Sequence, residues 1–461
     1  MVLMKEFNVS NFVDDLSVIC NIKQSQLRAE VEKYIWPRLD FLTNGKNKGK
    51  IFYLIDNQYV ETEWKDMISV HYINTSYHCE SSVIRVHLSL DNKISSQTYV
   101  GFFTLRKIDE PRIMLSYIYP SWEKIKNNNQ KLFVMTYKKR VHIMGEQIEF
   151  FTYPLFVQDN ITVACAQADI IAMTNYLHNK FDYNKIRISD LSDSYSVGKT
   201  KIYPTNGLNP LQMSQVFNTF DIPIRQKAFD KKQDNEKYIQ QELDSIRDYI
   251  NYTIESAIPV LLGISIKDKD GINRKHIIQL IGHSSQTREQ YVIYDDSGFF
   301  LKYVVDKDGF VALVSWKELE EIINKGSSFI ICPIHEKVYL YYEDIVSQLN
   351  YQLQHVTGLN KINEASKKGK VRYALVDNRI IKKFISSIDN NKRTQYEKNE
   401  LHKILSMGLP HYVWYCEIKY EESYVIYIAD PTYSRETSKN IFINELPIYS
   451  DKQLSLLGYI K

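Results

Sequence analysis

The stretch QDNITVACAQADIIAMTNYLHNKF (residues 158–181) decides how the chain is read. Gln158-Asp159-Asn160-Ile161-Thr162 has the composition of a turn. Beyond it, Ile170, Met173 or Thr174, Leu177 and Phe181 recur at i, i+3 or i+4, i+7 and i+11, the spacing of a helix with one apolar face. Cys165 stands where the turn enters that helix. A thiol at a helix N-terminus feels the positive end of the dipole, and only its thiolate form is a good nucleophile. An unpaired cysteine is more commonly a small buried hydrophobe. Cys165 therefore gains meaning only if a base lies near it.

Two apolar strand candidates downstream supply one. HIIQLIGH (276–283) begins with His276, directly after the basic turn Asn273-Arg274-Lys275. QYVIYDD (290–296) ends on Asp295 and Asp296. If the two pair antiparallel through the Gly282–Glu289 turn, the start of the first lies beside the end of the second. An Asp placed there can fix the tautomer of His276 and stabilise its imidazolium. Cys, His and Asp then form a nucleophile, a base and an orienting group. Adjacent strand residues point to opposite faces, so one carboxylate of the two faces His276. Asp295, directly after the apolar run, is the expected partner, and Asp296 is expected to open the turn Asp296-Ser297-Gly298. His283 is the nearest competing histidine, at the far end of its strand and expected in the turn.

The remaining composition sets bounds. The chain has 461 residues, 58 Lys and Arg against 55 Asp and Glu, and a formal net charge of +3. That balance argues against a protein that tracks nucleic-acid phosphates. With 44% hydrophobic and 25% charged residues it is neither disordered nor collagenous. The five cysteines, Cys20, Cys79, Cys165, Cys332 and Cys416, are widely spaced and include no CxxC pair, which excludes zinc-ribbon and thioredoxin readings. Charged residues interrupt the N-terminal stretch where a signal peptide needs its apolar run, and no run of 18 apolar residues occurs. A cytoplasmic protein with reduced thiols, no membrane segment and no nucleic-acid partner is expected.

Organisation follows from texture. Residues 1–150 are expected to form a β-rich domain after an early helix around Ile22–Tyr34, with strands at Ile51–Ile55, Ser82–Leu88, Thr98–Leu105 and Gln147–Tyr153. Arg85 and His87, with Cys79 nearby, lack a clustered ligand set and are read as structural. Residues 151–335 carry the Cys165 helix and the paired strands. Asn209 is expected to cap a short helix with Pro210 in its first position. Arg225–Tyr252 is expected to be an exposed helix, Ile258–Ile266 a strand, and DKDGIN (268–273) a hairpin turn. Residues 336–461 read as a mixed α/β domain with a strand pair at Tyr412–Tyr420 and Ser423–Pro431. Lys361–Lys403, with 12 Lys and Arg against five Asp and Glu, reads as a solvated face. Asp430-Pro431 is expected to be a turn, and a Gly-rich phosphate loop is absent from the sequence.

From about Tyr99 to Asp296 the chain resembles bacterial papain-like cysteine peptidases of the bacteriocin-processing, C39-like group. The resemblance rests on Gln158 with the block Ala164-Cys165-Ala166-Gln167, the loop Tyr203-Pro204 to Gly207-Leu208, His276 and Asp295. Ala166 stands where that group usually has Gly, and Gln158 lies one residue further from the cysteine than usual. The flanks YVGFFTLRKIDEPRI (99–113), MGLPHYVWYCEI (407–418) and IADPTY (428–433) resemble bacterial proteins that hold such a core between accessory domains.

The resemblance implies an α+β fold with a papain-like core, one helix packed on an antiparallel sheet. It implies a cysteine hydrolase, foremost a peptidase, with Cys165 as nucleophile, His276 as base, Asp295 as orienter and Gln158 at the oxyanion. No metal or organic cofactor is implied; the partner is a protein or peptide substrate, with a protein partner on the flanking domains as an option. The architecture suggests a regulated enzyme of a bacterial defence or regulatory system. A transglutaminase, amidase or deamidase, and a non-catalytic interaction protein of the same fold, remain open alternatives.

Overall fold

The structure is a computed structural model. It describes residues 4–20, 23–32, 50–70, 81–106, 113–118, 132–158, 165–194, 207–229, 236–267, 273–284, 288–306, 310–355, 360–367, 371–387, 395–420, 423–433, 441–443 and 448–451. Cys79, residues 159–164 with most of the turn expected at 158–162, Tyr203-Pro204 and most of the expected hairpin turn at 268–273 lie outside the described residues.

The protein is α+β, and its described strand pairings are antiparallel. It forms two compact units, residues 1–234 with 261–331, and 235–260 with 332–461. Three consecutive segments were expected instead. The expected boundary near 150 falls inside a strand of the first unit, and the segment 235–260 belongs with the C-terminal part. Among the described residues, no helix is long and apolar enough to cross a membrane.

The first unit holds two sheets. One comprises β1 (Lys5–Glu6), β2 (Phe52–Val60), β3 (Ser82–Ser89), β4 (Tyr99–Leu105), β5 (Ile113–Ile118), β7 (Tyr137–Ile143) and β8 (Glu146–Phe156), in the order β1-β2-β3-β4-β5-β8-β7. Phe12, Val13 and Leu16 of the helix Val9–Cys20 pack into a core with Tyr53, Ile84, Val86 and Phe103. The helix expected around Ile22–Tyr34 is present as Gln24–Glu30, and an unexpected helix, Val9–Cys20, precedes it. Arg85 pairs with Asp56 at 2.8 Å, and His87 Nδ1 meets the Tyr99 hydroxyl at 2.7 Å. Burial pushes His87 down to about 3, so it stays neutral, as a structural histidine would.

The second sheet of this unit comprises β9 (Ile224–Phe229), β10 (Val260–Lys267), β11 (Asn273–Ser284), β12 (Gln290–Tyr294), β13 (Val311–Ser315) and β14 (Ser328–Pro333), in the order β13-β12-β11-β10-β14-β9. A further strand, β6 (Leu132–Val134), pairs with the far end of β11. Gly282 permits that approach, because a Cβ there would lie 2.3 Å from the Phe133 carbonyl oxygen. The helix Cys165–Phe181 is buried from Ala166 through Leu177, on every side, as a helix central to its unit must be. The helix Pro210–Thr219 begins as expected: Asn209 Oδ1 accepts from the Gln212 N–H, and Gln212 Oε1 accepts from the Asn209 N–H, each at 2.9 Å.

The second unit pairs the helix Glu236–Glu255 with a sheet of β15 (Val371–Asp377), β16 (Tyr412–Tyr420), β17 (Ser423–Ala429) and β18 (Ile448–Asp451). The expected exposed helix at 225–252 is corrected twice. Its first part is β9, and the helix that follows buries Leu243, Ile246, Ile250 and Ile254. The basic segment Lys361–Lys403 contains the strand β15 as well as helices. Asp430 closes β17 in a turn, accepting from the Thr432 N–H at 2.8 Å.

Candidate active site

Cys165 is the first residue of the central helix, and its side chain is partly accessible. Cys332 and Cys416 are fully buried, and burial pushes their thiols up, Cys332 to about 12. Cys165 therefore combines access with a helix N-terminus, which those two lack.

His276 lies near the start of β11. The expected pairing is present: Gln279 opposes Tyr294 and Leu280 opposes Ile293, so the start of β11 lies beside the end of β12. His276 Nε2 is 2.8 Å from Asp295 Oδ1. A carboxylate accepts, so Nε2 carries the proton and Nδ1 is left for the thiol. The Cys165 side chain lies close enough to His276 to be one of the groups that raise it. Burial opposes charge on the ring. The Asp295 hydrogen bond, the Cys165 contact and the charges of Asp295 and Asp296 outweigh it, and His276 is raised well above its usual value. Phe299 packs edge-on against the imidazole, with ring centroids 5.9 Å apart.

Asp295 is fully buried and held from four sides. Oδ1 accepts from His276, from the Ser297 N–H at 3.3 Å and from the Ser297 hydroxyl at 3.2 Å; Oδ2 accepts from the Leu301 N–H at 3.1 Å. The turn-opening role expected of Asp296 is therefore performed by Asp295. Asp296 is also fully buried, and its Oδ1 lies 4.0 Å from His276 Nε2. Strand alternation fails to separate the two because β12 ends at Tyr294, before either of them.

His283 does not compete. It lies within β11, not in a turn, seven residues from His276. That separation is about 23 Å of extended chain. Its ring is buried, with Nδ1 2.9 Å from the Ser284 carbonyl oxygen. Gln158 stands two residues past the end of β8 and is half-buried; the residues between it and Cys165 that would set its aim lie outside the described set.

Three further groups escaped the sequence reading. Asp169, one turn along the helix from Cys165, is fully buried. Gln279 Nε2 donates to Asp169 Oδ1 at 2.7 Å and to the Asp169 carbonyl oxygen at 3.1 Å. The Tyr153 hydroxyl donates to Gln279 Oε1 at 2.6 Å. Burial and the Asp296 charge raise Asp169 well above the carboxylate range, against the opposing hydrogen bond from Gln279. The available signal was the one carboxylate in the helix Cys165–Phe181, at i+4 from the cysteine.

His276, Asp295 and Asp296 bring ligand atoms within 4.8 Å of one another, a spacing that suits a divalent cation. Of these, Asp295 already uses both oxygens in hydrogen bonds, and His276 Nε2 is turned to it. Compared with models of protein families, with curated proteins and with solved structures, the chain matches none.

Proposed function

We propose that this chain is a cysteine hydrolase with a papain-like core, acting as a peptidase on a protein or peptide substrate. One observation carries the reading: a partly accessible cysteine opens a buried helix beside a histidine whose Nε2 is 2.8 Å from a fully buried aspartate. Residues in these roles form a nucleophile–base–orienter set. The order Cys, His, Asp on helix, strand and strand end supports the papain-like assignment.

In this reading the Cys165 thiolate attacks the substrate carbonyl carbon. The developing oxyanion is met by the Cys165 backbone N–H and by Gln158, a contribution of roughly 3 kcal/mol in comparable sites. The His276 imidazolium gives its proton to the leaving amine, and the C–N bond breaks to leave a thioester on Cys165. His276, now neutral, takes a proton from water as it attacks the thioester. The acid product leaves and the thiol is restored. Asp295 holds the ring in the tautomer that keeps Nδ1 toward sulfur.

Alkylation tests the nucleophile. With sub-stoichiometric iodoacetamide near pH 6, adducts mapped by mass spectrometry are expected first on Cys165, and Cys332 and Cys416 are expected to stay unmodified in the folded protein. Preferential labelling of any other cysteine overturns the assignment. Product analysis tests the reaction: a new peptide terminus supports the peptidase, and ammonia release without cleavage supports a deamidase.

A further inference from the structure

The nucleophile and the base sit on different elements, 111 positions apart in the chain. Cys165 belongs to the central helix and His276 to β11, so their separation depends on how helix and strand are joined. Most joining contacts in a core are apolar and non-directional. One is not. Gln279, three residues from His276 on the same strand, reaches across to the helix and donates through one nitrogen to both the side-chain and the main-chain oxygen of Asp169. Asp169 is four residues from Cys165, one helical turn.

The direction of that amide is set from a third element. Its oxygen accepts from the Tyr153 hydroxyl on β8, so its nitrogen must face Asp169. Tyr153, Gln279 and Asp169 are all fully buried. Hydrogen bonds in such surroundings are strengthened, and leaving one member unpaired is costly. Asp169 Oδ2 makes no hydrogen bond among the described residues, and a charged carboxylate is rarely left so. The raised position of Asp169 agrees with a neutral acid at this place.

We infer that Gln279 is a positioning residue for the Cys165–His276 pair, locking the helix that carries the nucleophile to the strand that carries the base, with Asp169 and Tyr153 as its two anchors. This rests on the hydrolase reading of Cys165 and His276. The clamp acts through hydrogen-bond geometry and not through charge. Asp169→Asn preserves the acceptor and is therefore expected to be tolerated, whereas Asp169→Ala is not.

The test reads the second-order rate of Cys165 alkylation by iodoacetamide against pH, from 5 to 9, in the full chain. Small displacements of reacting groups cost up to about 100-fold. Gln279→Leu is expected to slow alkylation at pH 6 about tenfold and to move the rise of the profile toward that of His276→Ala. Asp169→Ala is expected to do the same, and Asp169→Asn to restore the wild-type profile to within about twofold. Far-UV circular dichroism and melting confirm that each variant is folded.

If Gln279→Leu does not fold, Tyr153→Phe, which removes a single oxygen, carries the test, with about a threefold slowing expected. A wild-type profile in the folded Gln279→Leu protein, or in Tyr153→Phe when that variant carries the test, overturns the clamp. So does an Asp169→Asn protein as slow as Asp169→Ala. If instead Cys165 in the wild type reacts no faster at pH 6 than in His276→Ala, the hydrolase reading itself fails, which is a separate result.

Discussion

Replacing Asp295 with Asn removes one charge and changes one atom, and the surroundings dictate the result. Every group that meets the Asp295 carboxylate is a donor: His276 Nε2, the Ser297 N–H, the Ser297 hydroxyl and the Leu301 N–H. An Asn side chain offers one acceptor oxygen and a donor NH2. If the NH2 faces His276, Nε2 must become the acceptor, the proton moves to Nδ1, and the ring can no longer take a proton from Cys165. If the NH2 faces Leu301, two donors are opposed in a fully buried site, which costs about 1–3 kcal/mol. A hydrogen bond to a charged group contributes about 1.5–3 kcal/mol. At about 1.4 kcal/mol per decade, Asp295→Asn should slow turnover roughly 10- to 150-fold. The corresponding loss in a serine triad, about 10⁴-fold, is an upper bound, because a thiolate depends less on its third partner. Asp296 sits 4.0 Å from the same nitrogen and acts through charge alone, so Asp296→Asn should cost less than about tenfold. Both variants are to be compared by Cys165 alkylation rate and by cleavage of an accepted peptide. A larger loss in Asp296→Asn would refute the assignment of the orienting group.

Two stability predictions follow from other buried charges. Arg372 makes a bidentate pair with Glu255, at 2.8 and 2.6 Å, and lies 3.7 Å from Glu417; both glutamates are buried. Arg372→Leu strands them and should destabilise the second unit by about 3–5 kcal/mol in denaturant unfolding, whereas a loss below about 1 kcal/mol would place the pair with solvent-exposed bridges. His276 is raised above its unfolded value of about 6.5, so its contribution is complete below that pH and is lost as pH rises through the folded value. The Tm advantage of wild type over His276→Gln should therefore shrink between pH 6 and pH 10, and an advantage that grows with pH would contradict the charged pair.

The parts of the fold that could be read in the sequence were those fixed by local signals. Apolar spacing marks the central helix, Asn209-Pro210 marks a helix start, and two apolar runs separated by a short turn mark the antiparallel pair that joins His276 to Asp295. The misreadings share a cause. Ile224–Phe229 looks too polar for a strand, but β9 is at the edge of its sheet, where only Phe229 is fully buried. The helix Glu236–Glu255 looks exposed because its charges outnumber its apolar stripe, yet Leu243, Ile246, Ile250 and Ile254 fall on one buried face. The Gln279–Asp169 contact spans 110 residues, and no local pattern encodes a bond of that range.

The charges of the site bear on how a third buried acid, Asp169, is tolerated one turn from Cys165. Were Asp169, Asp295, Asp296 and the Cys165 thiol all ionised, four negative groups would share the field of one imidazolium, His276, with all three carboxylates buried. Charge of one sign cannot accumulate in a low-dielectric interior, and the most expensive group takes up a proton instead. Asp295 has four donors, but Asp169 has only the Gln279 amide on one oxygen and nothing described on the other. Burial and the neighbouring Asp296 raise Asp169, which favours its neutral form. A neutral Asp169 leaves one negative group fewer around His276, and still gives Gln279 its acceptor. The same residue can thus anchor the helix to the strand without drawing His276 away from sulfur.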